Sequence, residues 1–323
     1  MRRLLAVLLL VLAAATGCGR AASAGGAPTV VTAFYPLEFL STRIGGGHVT
    51  VSTLTKPGTE PHDVELSPRQ VGQISDASLV VYLKGFQPAV DEAVGQEAGD
   101  RAFDVGTAVQ LLSVAHEEDG HGEDGHGEDG HGEDGHGGEE PGGHEHAEAA
   151  GGKDPHVWLD PVRFAAITDA LGERLAQMDA AHAADYRGRA AAVHKELDAL
   201  NAEYATGLRD CARREIVTSH EAFHYLADRY GLTEVGITGI SPDAEPSPQR
   251  LAEVAEQARA AGATTIFFET LVSPKVADTV AREVGARTAV LDPLEGLTQP
   301  GTDYFSVMRS NLTALRTALG CTS

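Results

Sequence analysis

The sequence contains two series of alternating strand-like and helix-like segments, separated by one long helical stretch. The apolar, strand-like segments are residues 29–34, 49–54, 79–83 and 102–105 in the first series and 215–218, 234–237, 264–268 and 287–291 in the second. Short buried strands that alternate with helices form parallel sheets whose two faces are covered by those helices. The sequence therefore predicts an α/β protein with two lobes, each built on a parallel four-stranded sheet flanked by helices.

The stretch between the two series predicts a stiff connection. Asp160 can cap this stretch and Pro161 can start it, and the helical pattern then runs to about Leu208 with a break near residues 178–181. Residues 181–208 are rich in Ala, Leu, Glu and Arg and contain no proline. A helix of this length is about 40 Å long. We therefore expect one long rigid linker helix and limited motion between the lobes.

These patterns divide the chain into five consecutive parts. They are a signal peptide (1–17), a flexible tether (18–28), an N-terminal α/β lobe (29–178), the linker helix (179–209) and a C-terminal α/β lobe (210–323).

The beginning of the chain is typical of an export signal. Arg2 and Arg3 precede an apolar run from Leu4 to Ala15, which is shorter than the roughly 20 residues that span a bilayer. The small residues directly before Cys18 resemble a bacterial lipobox, in which this cysteine becomes the acylated first residue of the mature protein. Ordinary signal cleavage is the alternative. We expect an extracytoplasmic protein that is anchored to the outer face of the cell membrane through Cys18, or a periplasmic one.

Cysteine usage and charge restrict the chemistry further. Export exposes Cys211 and Cys321 to oxidising conditions, so a disulfide between them is expected, with two buried thiols as the alternative. Neither cysteine belongs to a C-x-x-C motif, which argues against a thiolate zinc cluster. The formal net charge of −22 argues against nucleic acid as a partner.

An insertion over residues 113–152 has a composition of its own. In a repeat of Gly, Glu and Asp, histidines recur with a period of five at His121, His126, His131 and His136. The insertion also contains His116, His144 and His146. Such a segment has almost no apolar residues to bury, so we expect it to be disordered without metal. Imidazole and carboxylate groups are zinc ligands, so these histidines are auxiliary metal-ligand candidates of a metal-collecting loop. A solvated low-complexity insertion is the alternative.

Outside this insertion, four side chains that can ligate a metal lie just beyond predicted strands. They are His62, His156, His220 and Asp292. Ligands of open α/β sheets bind beyond the carboxyl ends of the strands, so side chains from both lobes can meet in one crevice. Three imidazoles and one carboxylate suit the tetrahedral coordination of Zn²⁺. Glu60 is the alternative fourth ligand.

The sequence around these residues resembles a known family. The segments GTEPHDVELSP (58–68), DPHVWLDP (154–161), VTSHEAFHYL (217–226), GISPDAEPS (239–247) and LDPLEG (291–296) are similar to those of metal-specific solute-binding proteins of ABC transporters, and most similar to the ZnuA-type zinc branch. The resemblance extends from Pro28 to Cys321. It implies two α/β lobes joined by a long helix, with Zn²⁺ held between them by His62, His156, His220 and Asp292. It also implies an ABC permease as partner and no enzymatic activity; we expect a monomer.

Several other interpretations remain open. A manganese or iron importer component is the first alternative. It is disfavoured because manganese-type members of the family carry Glu where His220 stands. A zinc buffer or adhesin that works through the histidine-rich loop is the second. A zinc hydrolase is disfavoured because no H-E-x-x-H helix is present. His224 follows His220 by four residues on a helix and so faces the same side, where we expect a supporting or surface role rather than direct ligation. The sequence leaves the role of Glu269 open. We expect Trp158 and Phe223 to be core or pocket-wall residues that keep the site dry.

Overall fold

The computed structural model describes residues 26–114, 152–297 and 301–322. All eight predicted strands are present. The first sheet contains β1 (Thr29–Thr32), β2 (Thr50–Thr53), β3 (Leu79–Tyr82) and β4 (Ala102–Asp104). The second sheet contains β5 (Glu215–Thr218), β6 (Thr233–Gly236), β7 (Thr265–Phe268) and β8 (Arg287–Val290). The predicted signal peptide, the lipidation site Cys18 and the histidines of the insertion lie outside the described residues.

The two sheets have the same topology. The strand order is β2-β1-β3-β4 in the first sheet and β6-β5-β7-β8 in the second, and every pair of neighbouring strands is parallel. The central pair is β1 and β3 in the first sheet and β5 and β7 in the second. From one central strand the chain continues to one edge of the sheet, and from the other it continues to the opposite edge. This reversal opens a crevice at the carboxyl ends of the strands. The predicted fold class, two lobes with parallel four-stranded sheets, is confirmed.

Helices cover these sheets and connect the lobes. The N-terminal lobe has α1 (Tyr35–Gly45), α2 (Pro68–Asp76) and α3 (Pro88–Glu97). The connection consists of α4 (Pro161–Met178) and α5 (Ala183–Gly207). The C-terminal lobe has α6 (His224–Tyr230), α7 (Pro248–Ala260), α8 (Lys275–Val284) and α9 (Tyr304–Leu319). None of the described helices has the length and apolar character that crossing a membrane requires.

The long helical stretch folds back on itself. Asp160 caps α4 by accepting hydrogen bonds from the backbone N–H groups of Val162 and Arg163, as its position before Pro161 predicts. A short 3₁₀ turn then separates α4 from α5, and the two helices pack side by side. A Cβ atom at Gly172 on α4 would lie 2.6 Å from the Cβ of Ala190 on α5, so this close approach requires glycine. The linker helix α5 is about 37 Å long.

A continuous core joins the two lobes. One cluster of buried apolar residues extends from the first sheet through α4 and α5 to α9. The ring of Phe39 on α1 stacks on that of Tyr304 on α9, with centroids 5.5 Å apart. The Tyr204 hydroxyl on α5 donates a hydrogen bond of 2.6 Å to the carbonyl oxygen of Met308 on α9. Because both lobes pack on the same helices, large rigid-body motion between them would break up this core.

The beginning and end of the C-terminal lobe are covalently joined. Cys211 and Cys321 form a disulfide, which confirms the predicted pairing. Backbone hydrogen bonds accompany it, from the N–H of Ala212 to the carbonyl oxygen of Gly320 and from the N–H of Arg213 to that of Leu319. The bridge closes a loop of 110 residues, which contains nearly the whole lobe.

We predict that the double substitution Cys211→Ala/Cys321→Ala lowers the free energy of unfolding. Without the bridge the unfolded lobe gains conformational entropy, and a loop of this length corresponds to at most about 4–5 kcal/mol in the chain-entropy model. Urea unfolding of the oxidised protein, the reduced protein and the double variant measures the difference. The reduced protein and the variant are expected to agree, and an unchanged midpoint in both would contradict a stabilising role.

Candidate metal centre

Four loops meet in the crevice between the lobes. His62 follows β2, and His156 lies beyond β4, directly before α4; both belong to the N-terminal lobe. His220 directly follows β5, and Glu295 follows β8; both belong to the C-terminal lobe. The topology therefore brings side chains from distant parts of the sequence together at the carboxyl edges of both sheets.

These four side chains form a tight buried cluster. Their metal-competent atoms all lie within 4.8 Å of one another, and each residue is at most 7% exposed. Glu295 Oε1 lies 3.1 Å from His62 Nε2 and 3.2 Å from His156 Nε2. It lies 3.4 Å from His220 Nε2, which is also 3.4 Å from His156 Nε2. Three imidazole nitrogens thus converge on one carboxylate oxygen.

Neighbouring groups hold the loop of His62 in place. The backbone N–H of His62 donates to both carboxylate oxygens of Glu60, each at 3.0 Å. The side-chain amide of the buried Gln87 donates to the carbonyl oxygen of Pro61 at 2.9 Å. The ring of Phe86 meets the His62 imidazole edge to face, with centroids 4.7 Å apart. Glu60 therefore shapes this loop, and its carboxylate lies 3.9 Å from His62 Nε2.

Carboxylates orient the other two imidazoles. His156 Nδ1 lies 2.8 Å from Asp154 Oδ1, which also accepts the His156 backbone N–H at 2.9 Å. His220 Nδ1 lies 2.6 Å from Glu269 Oε1, which also accepts a hydrogen bond from the Ser219 hydroxyl. A carboxylate on Nδ1 keeps the proton there and leaves Nε2 for a metal. The sequence analysis did not assign these roles to Asp154 and Glu269; the D-P-H spacing is the only sequence signal for the former.

The carboxylate in the cluster is Glu295 rather than the predicted Asp292. Asp292 Oδ1 accepts the backbone N–H of Leu294 at 2.8 Å, and Asp292 Oδ2 accepts the Thr270 hydroxyl at 3.1 Å. Both oxygens thus stabilise the turn after β8. Leu294 has φ of 61°, the only positive value at a non-glycine residue in the described ranges, and this conformation turns the chain so that the next side chain enters the cluster.

Hydrogen bonds from two other parts of the protein, Asn311 and Trp158, also hold this turn. The side chain of Asn311 on α9 accepts the N–H of Asp292 at 3.0 Å and donates to its carbonyl oxygen at 2.7 Å. The Trp158 indole N–H donates to the carbonyl oxygen of Pro293 at 2.7 Å. Trp158 and Phe223 are each 1% exposed, so both are core residues, as predicted, and the Trp158 ring lies 5.4 Å from the His156 ring.

The buried carboxylates in and around the cluster change the pKa values of the three imidazoles. Burial alone lowers the pKa of an imidazole, but the hydrogen bond to Asp154 and the charge of this carboxylate raise the pKa of His156 to about 9. The charges of Glu269 and Glu295 likewise outweigh burial and raise the pKa of His220 well above 6.5. Burial prevails at His62 and lowers its pKa. Both shifts favour the protonated forms of His156 and His220 in the metal-free protein.

Glu295 is charged in this setting. Burial alone raises the pKa of a carboxyl group, but the charges of His62 and His220, together with hydrogen bonds from His156 and His220, lower the pKa of Glu295 well below its usual range. Its second oxygen, Oε2, is buried and has no hydrogen-bond partner. The nearby Glu60 differs, because burial and the charge of Glu295 raise its pKa to about 8. One charged carboxylate with an unsatisfied oxygen thus faces three imidazoles.

This donor set fits a divalent cation of the zinc type. Three imidazole nitrogens and one carboxylate oxygen fill a tetrahedron, and imidazole favours Zn²⁺ over the harder Mn²⁺. Protons on two imidazoles supply the positive charge that a cation would supply. The buried oxygen Glu295 Oε2 gives a reason to expect a further positive partner, because a buried charge without a hydrogen bond is costly.

The remaining histidines of the described ranges lie apart from this cluster. His48, His182 and His194 are on the surface beside α4 and α5, where each pairs with an aspartate. His224, at the start of α6, lies on the far side of Asp154, with its Nδ1 3.5 Å from Asp154 Oδ2. The auxiliary candidates between His116 and His146 lie outside the described residues.

Comparisons with known proteins identify relatives of this chain. A family model described as the zinc-uptake complex component A, periplasmic (ZnuA), matches residues 30–318. The zinc-binding protein AdcA of Streptococcus pyogenes serotype M6 is 37% identical over 298 residues, which are 91% of this chain and 56% of AdcA. The chain thus spans little more than half the length of that relative.

Two further comparisons cover nearly the whole of both partners. The high-affinity zinc uptake system protein ZnuA of Bacillus subtilis is 34% identical over 317 residues, which are 94% of this chain and 92% of that protein. The crystal structure of the Zn(II)-bound ZnuA-like domain of Streptococcus pneumoniae AdcA superposes with a TM-score of 0.71 at 32% identity, covering 91% of this chain and 99% of that domain.

We predict that Glu295→Gln weakens zinc binding far more than Asp292→Asn does. Glu295→Gln removes the charged oxygen from the cluster. Loss of a residue that only supports a ligand lowers metal affinity by about 10–100-fold, so the zinc affinity of this variant should fall by at least that much. Asparagine at position 292 keeps Oδ1 as the acceptor for the Leu294 N–H, so a much smaller loss is expected. Competition titration with a zinc chelator measures both affinities, and the reverse ranking would make Asp292 the metal ligand.

We also predict that zinc binding releases protons at neutral pH. His156 and His220 must each lose the proton on Nε2 before binding a metal, so about two protons leave at pH 7. Because the pKa of His156 is about 9, the apparent affinity should keep rising from pH 7 to pH 9 rather than level off above the ordinary histidine pKa. Calorimetry in buffers of different ionisation enthalpy counts the protons.

The control for this measurement is Asp154→Asn. Removing the charge beside Nδ1 lowers the pKa of His156, so proton release at pH 7 should fall by about one. Release close to zero in the unsubstituted protein would contradict the protonated state of the metal-free cluster.

Proposed function

This chain belongs to the ZnuA family of periplasmic zinc-uptake components, and we propose that it captures Zn²⁺ outside the cytoplasm and delivers it to the permease of an ABC-type importer. The observation that carries this proposal is the convergence of three imidazole nitrogens on the Glu295 carboxylate in the buried crevice between the lobes. Residues from both lobes would hold the ion, which is the cargo of the protein.

Zinc is a better cargo for this donor set than manganese or iron. We propose His62, His156, His220 and Glu295 as the ligands. His220 is the discriminating member, because a carboxylate in its place would give the harder donor set that manganese prefers. The zinc-specific description of the matching family supports the same choice.

The site is suited to binding rather than catalysis. A catalytic zinc ion keeps an open coordination position for water or substrate. Here four protein donors are available in one cluster, and all four residues are buried. A filled tetrahedron shields the ion and leaves no position for a reactive water. This argument supports a solute-binding role for the chain.

Location and partner follow from the family and from the start of the chain. We propose that the signal sequence directs export and that acylation of Cys18 anchors the mature protein to the outer face of the cell membrane. Anchoring would keep the protein close to its permease. The binding-protein component of such an importer acts as a monomer in this proposal, and the histidine-rich insertion serves as a collecting segment.

Because the lobes share one core, we propose that zinc is released by local rearrangement. The turn of Leu294 and Glu295 is the element suited to this, since it contains the single non-glycine residue with positive φ in the described ranges. Such a conformation is maintained by its surroundings, here Asn311, Trp158 and Asp292.

The decisive experiment distinguishes zinc binding at the buried site from zinc binding by the insertion. Zinc stoichiometry and affinity are measured by competition titration on the mature protein and on a variant that lacks residues 116–146, each with and without His220→Ala. We expect one tight site that survives deletion of the insertion and that His220→Ala weakens by at least about 100-fold, because a direct ligand is lost.

His194→Ala is the matched control, because His194 is a surface histidine that pairs with Asp169 at 2.8 Å outside the cluster. It should leave the tight site unchanged. If tight binding disappears with the insertion and does not depend on His220, the insertion is the functional element and the importer role fails.

A further inference from the structure

The loop that contains His220 lies between two strands that each supply a glutamate. His220 directly follows β5, whose neighbours in the sheet are β6 and β7. Glu269, directly after β7, holds the His220 imidazole through Nδ1. Glu234, on β6, contacts residues on either side of His220 instead. The two glutamates therefore act on different parts of the same loop.

Glu234 joins the two ends of the segment from Thr218 to Phe223. Its Oε1 accepts a hydrogen bond from the Thr218 hydroxyl at 2.9 Å and another from the Phe223 backbone N–H at 3.0 Å. Thr218 is the last residue of β5, and Phe223 directly precedes α6. One carboxylate oxygen thus fixes the distance between the start and the end of the segment that contains His220.

The residues that follow Glu234 support the same segment. The backbone N–H and the hydroxyl of Thr238 both donate to the carbonyl oxygen of Ser219, at 3.0 Å and 3.1 Å. A Cβ atom at Gly236 would lie 2.4 Å from Cγ of Glu221, so this close approach requires glycine. The segment from Thr218 to Phe223 therefore packs directly on the end of β6.

The position of this segment matters because His220 must meet residues from other elements. Its Nε2 lies 3.4 Å from both His156 Nε2 and Glu295 Oε1. Zinc requires its nitrogen ligands at about 2.0–2.1 Å, so a small displacement of the His220 backbone would spoil the coordination. Glu269 sets the orientation of the ring, whereas the hydrogen bonds to Glu234 set the backbone from which the ring projects.

A single oxygen of Glu234 does this work. Burial raises the pKa of Glu234 to about 7, although the hydrogen bonds from the Phe223 N–H and the Thr218 hydroxyl lower it. The other oxygen, Oε2, is buried without a hydrogen-bond partner. Because both hydrogen bonds end on Oε1, the side chain holds the segment whether or not Oε2 carries a proton. A glutamine, which keeps one acceptor oxygen, should therefore hold it equally well.

We propose that Glu234 is a positioning residue of the zinc site, which holds the segment from Thr218 to Phe223 so that His220 Nε2 reaches the ion. The role of His220 as a zinc ligand rests on the proposed function. Glu234 acts through His220, so its effect on zinc binding must disappear when the imidazole is absent. A general contribution to the stability of the lobe would not depend on His220 in this way.

A double-mutant cycle tests this dependence. Zinc affinity is measured by chelator competition on the mature chain, on Glu234→Ala, on His220→Ala and on the double variant. Glu234→Ala should weaken the tight site by at least about tenfold, since loss of a residue that supports a ligand lowers metal affinity by about 10–100-fold. In the His220→Ala background the same substitution should change the affinity by no more than about twofold, the range within which independent changes add.

Two further variants are the controls. Glu234→Gln keeps the acceptor oxygen and should retain the affinity of the unsubstituted protein. Glu215→Ala removes a carboxylate from the same sheet at the amino end of β5, where one of its oxygens is buried without a hydrogen-bond partner. It should leave the tight site unchanged.

The visible absorption of bound Co²⁺ supplies a readout of coordination geometry. Glu234→Ala should change the spectrum of the Co²⁺-loaded protein, and Glu234→Gln should not. Thr218→Val removes one of the two hydrogen bonds and keeps the shape of the side chain, so it tests the same contact if Glu234→Ala does not fold. It should weaken zinc binding in the presence of His220 and have no effect in the His220→Ala background.

Two outcomes would overturn this role for Glu234: an unchanged zinc affinity in Glu234→Ala, or an equal loss with and without His220. Absence of a tight, His220-dependent site from the unsubstituted protein is a different result. It would contradict the proposed function itself.

Discussion

The contact between the Glu295 carboxylate and three imidazoles is the interaction on which the rest of the structure depends. A carboxylate buried between the lobes is unstable unless positive charge reaches it, and in the metal-free protein the protons on His156 and His220 supply that charge. A cation does the same when those protons leave. Either protons or a cation can therefore offset the charge of this carboxylate, as the proposed function requires.

Much of the surrounding structure maintains this arrangement. Asp154 and Glu269 set the orientation of two imidazoles, and Asp292 stabilises the turn that brings Glu295 into the cluster. Trp158 and Asn311 hold the same turn from other elements. Each of these side chains satisfies a buried polar group and positions a neighbour at the same time. The proposed site is preorganised because its supporting residues belong to packed helices and strands.

The packing of the lobes on shared helices limits how such a protein can work. Tyr204 on α5 bonds to α9, and Phe39 on α1 stacks on Tyr304 of the same helix, so the core does not divide along the crevice. Hinge closure of the lobes is therefore an unsuitable mechanism. Local movement of the turn around Leu294, as proposed above, would leave this core intact.

The sequence by itself determined the strands, the linker helix, the disulfide and the three histidines that meet in the crevice. These follow from local patterns: short apolar runs, the cap Asp160 before Pro161, and histidines placed just beyond strands. Only the tertiary structure decided which acidic residue joins them. Asp292 and Glu295 both stand in LDPLEG, and the left-handed backbone of Leu294 selects the latter. That conformation depends on Asn311 and Trp158, which are distant in sequence, so no local pattern encodes it.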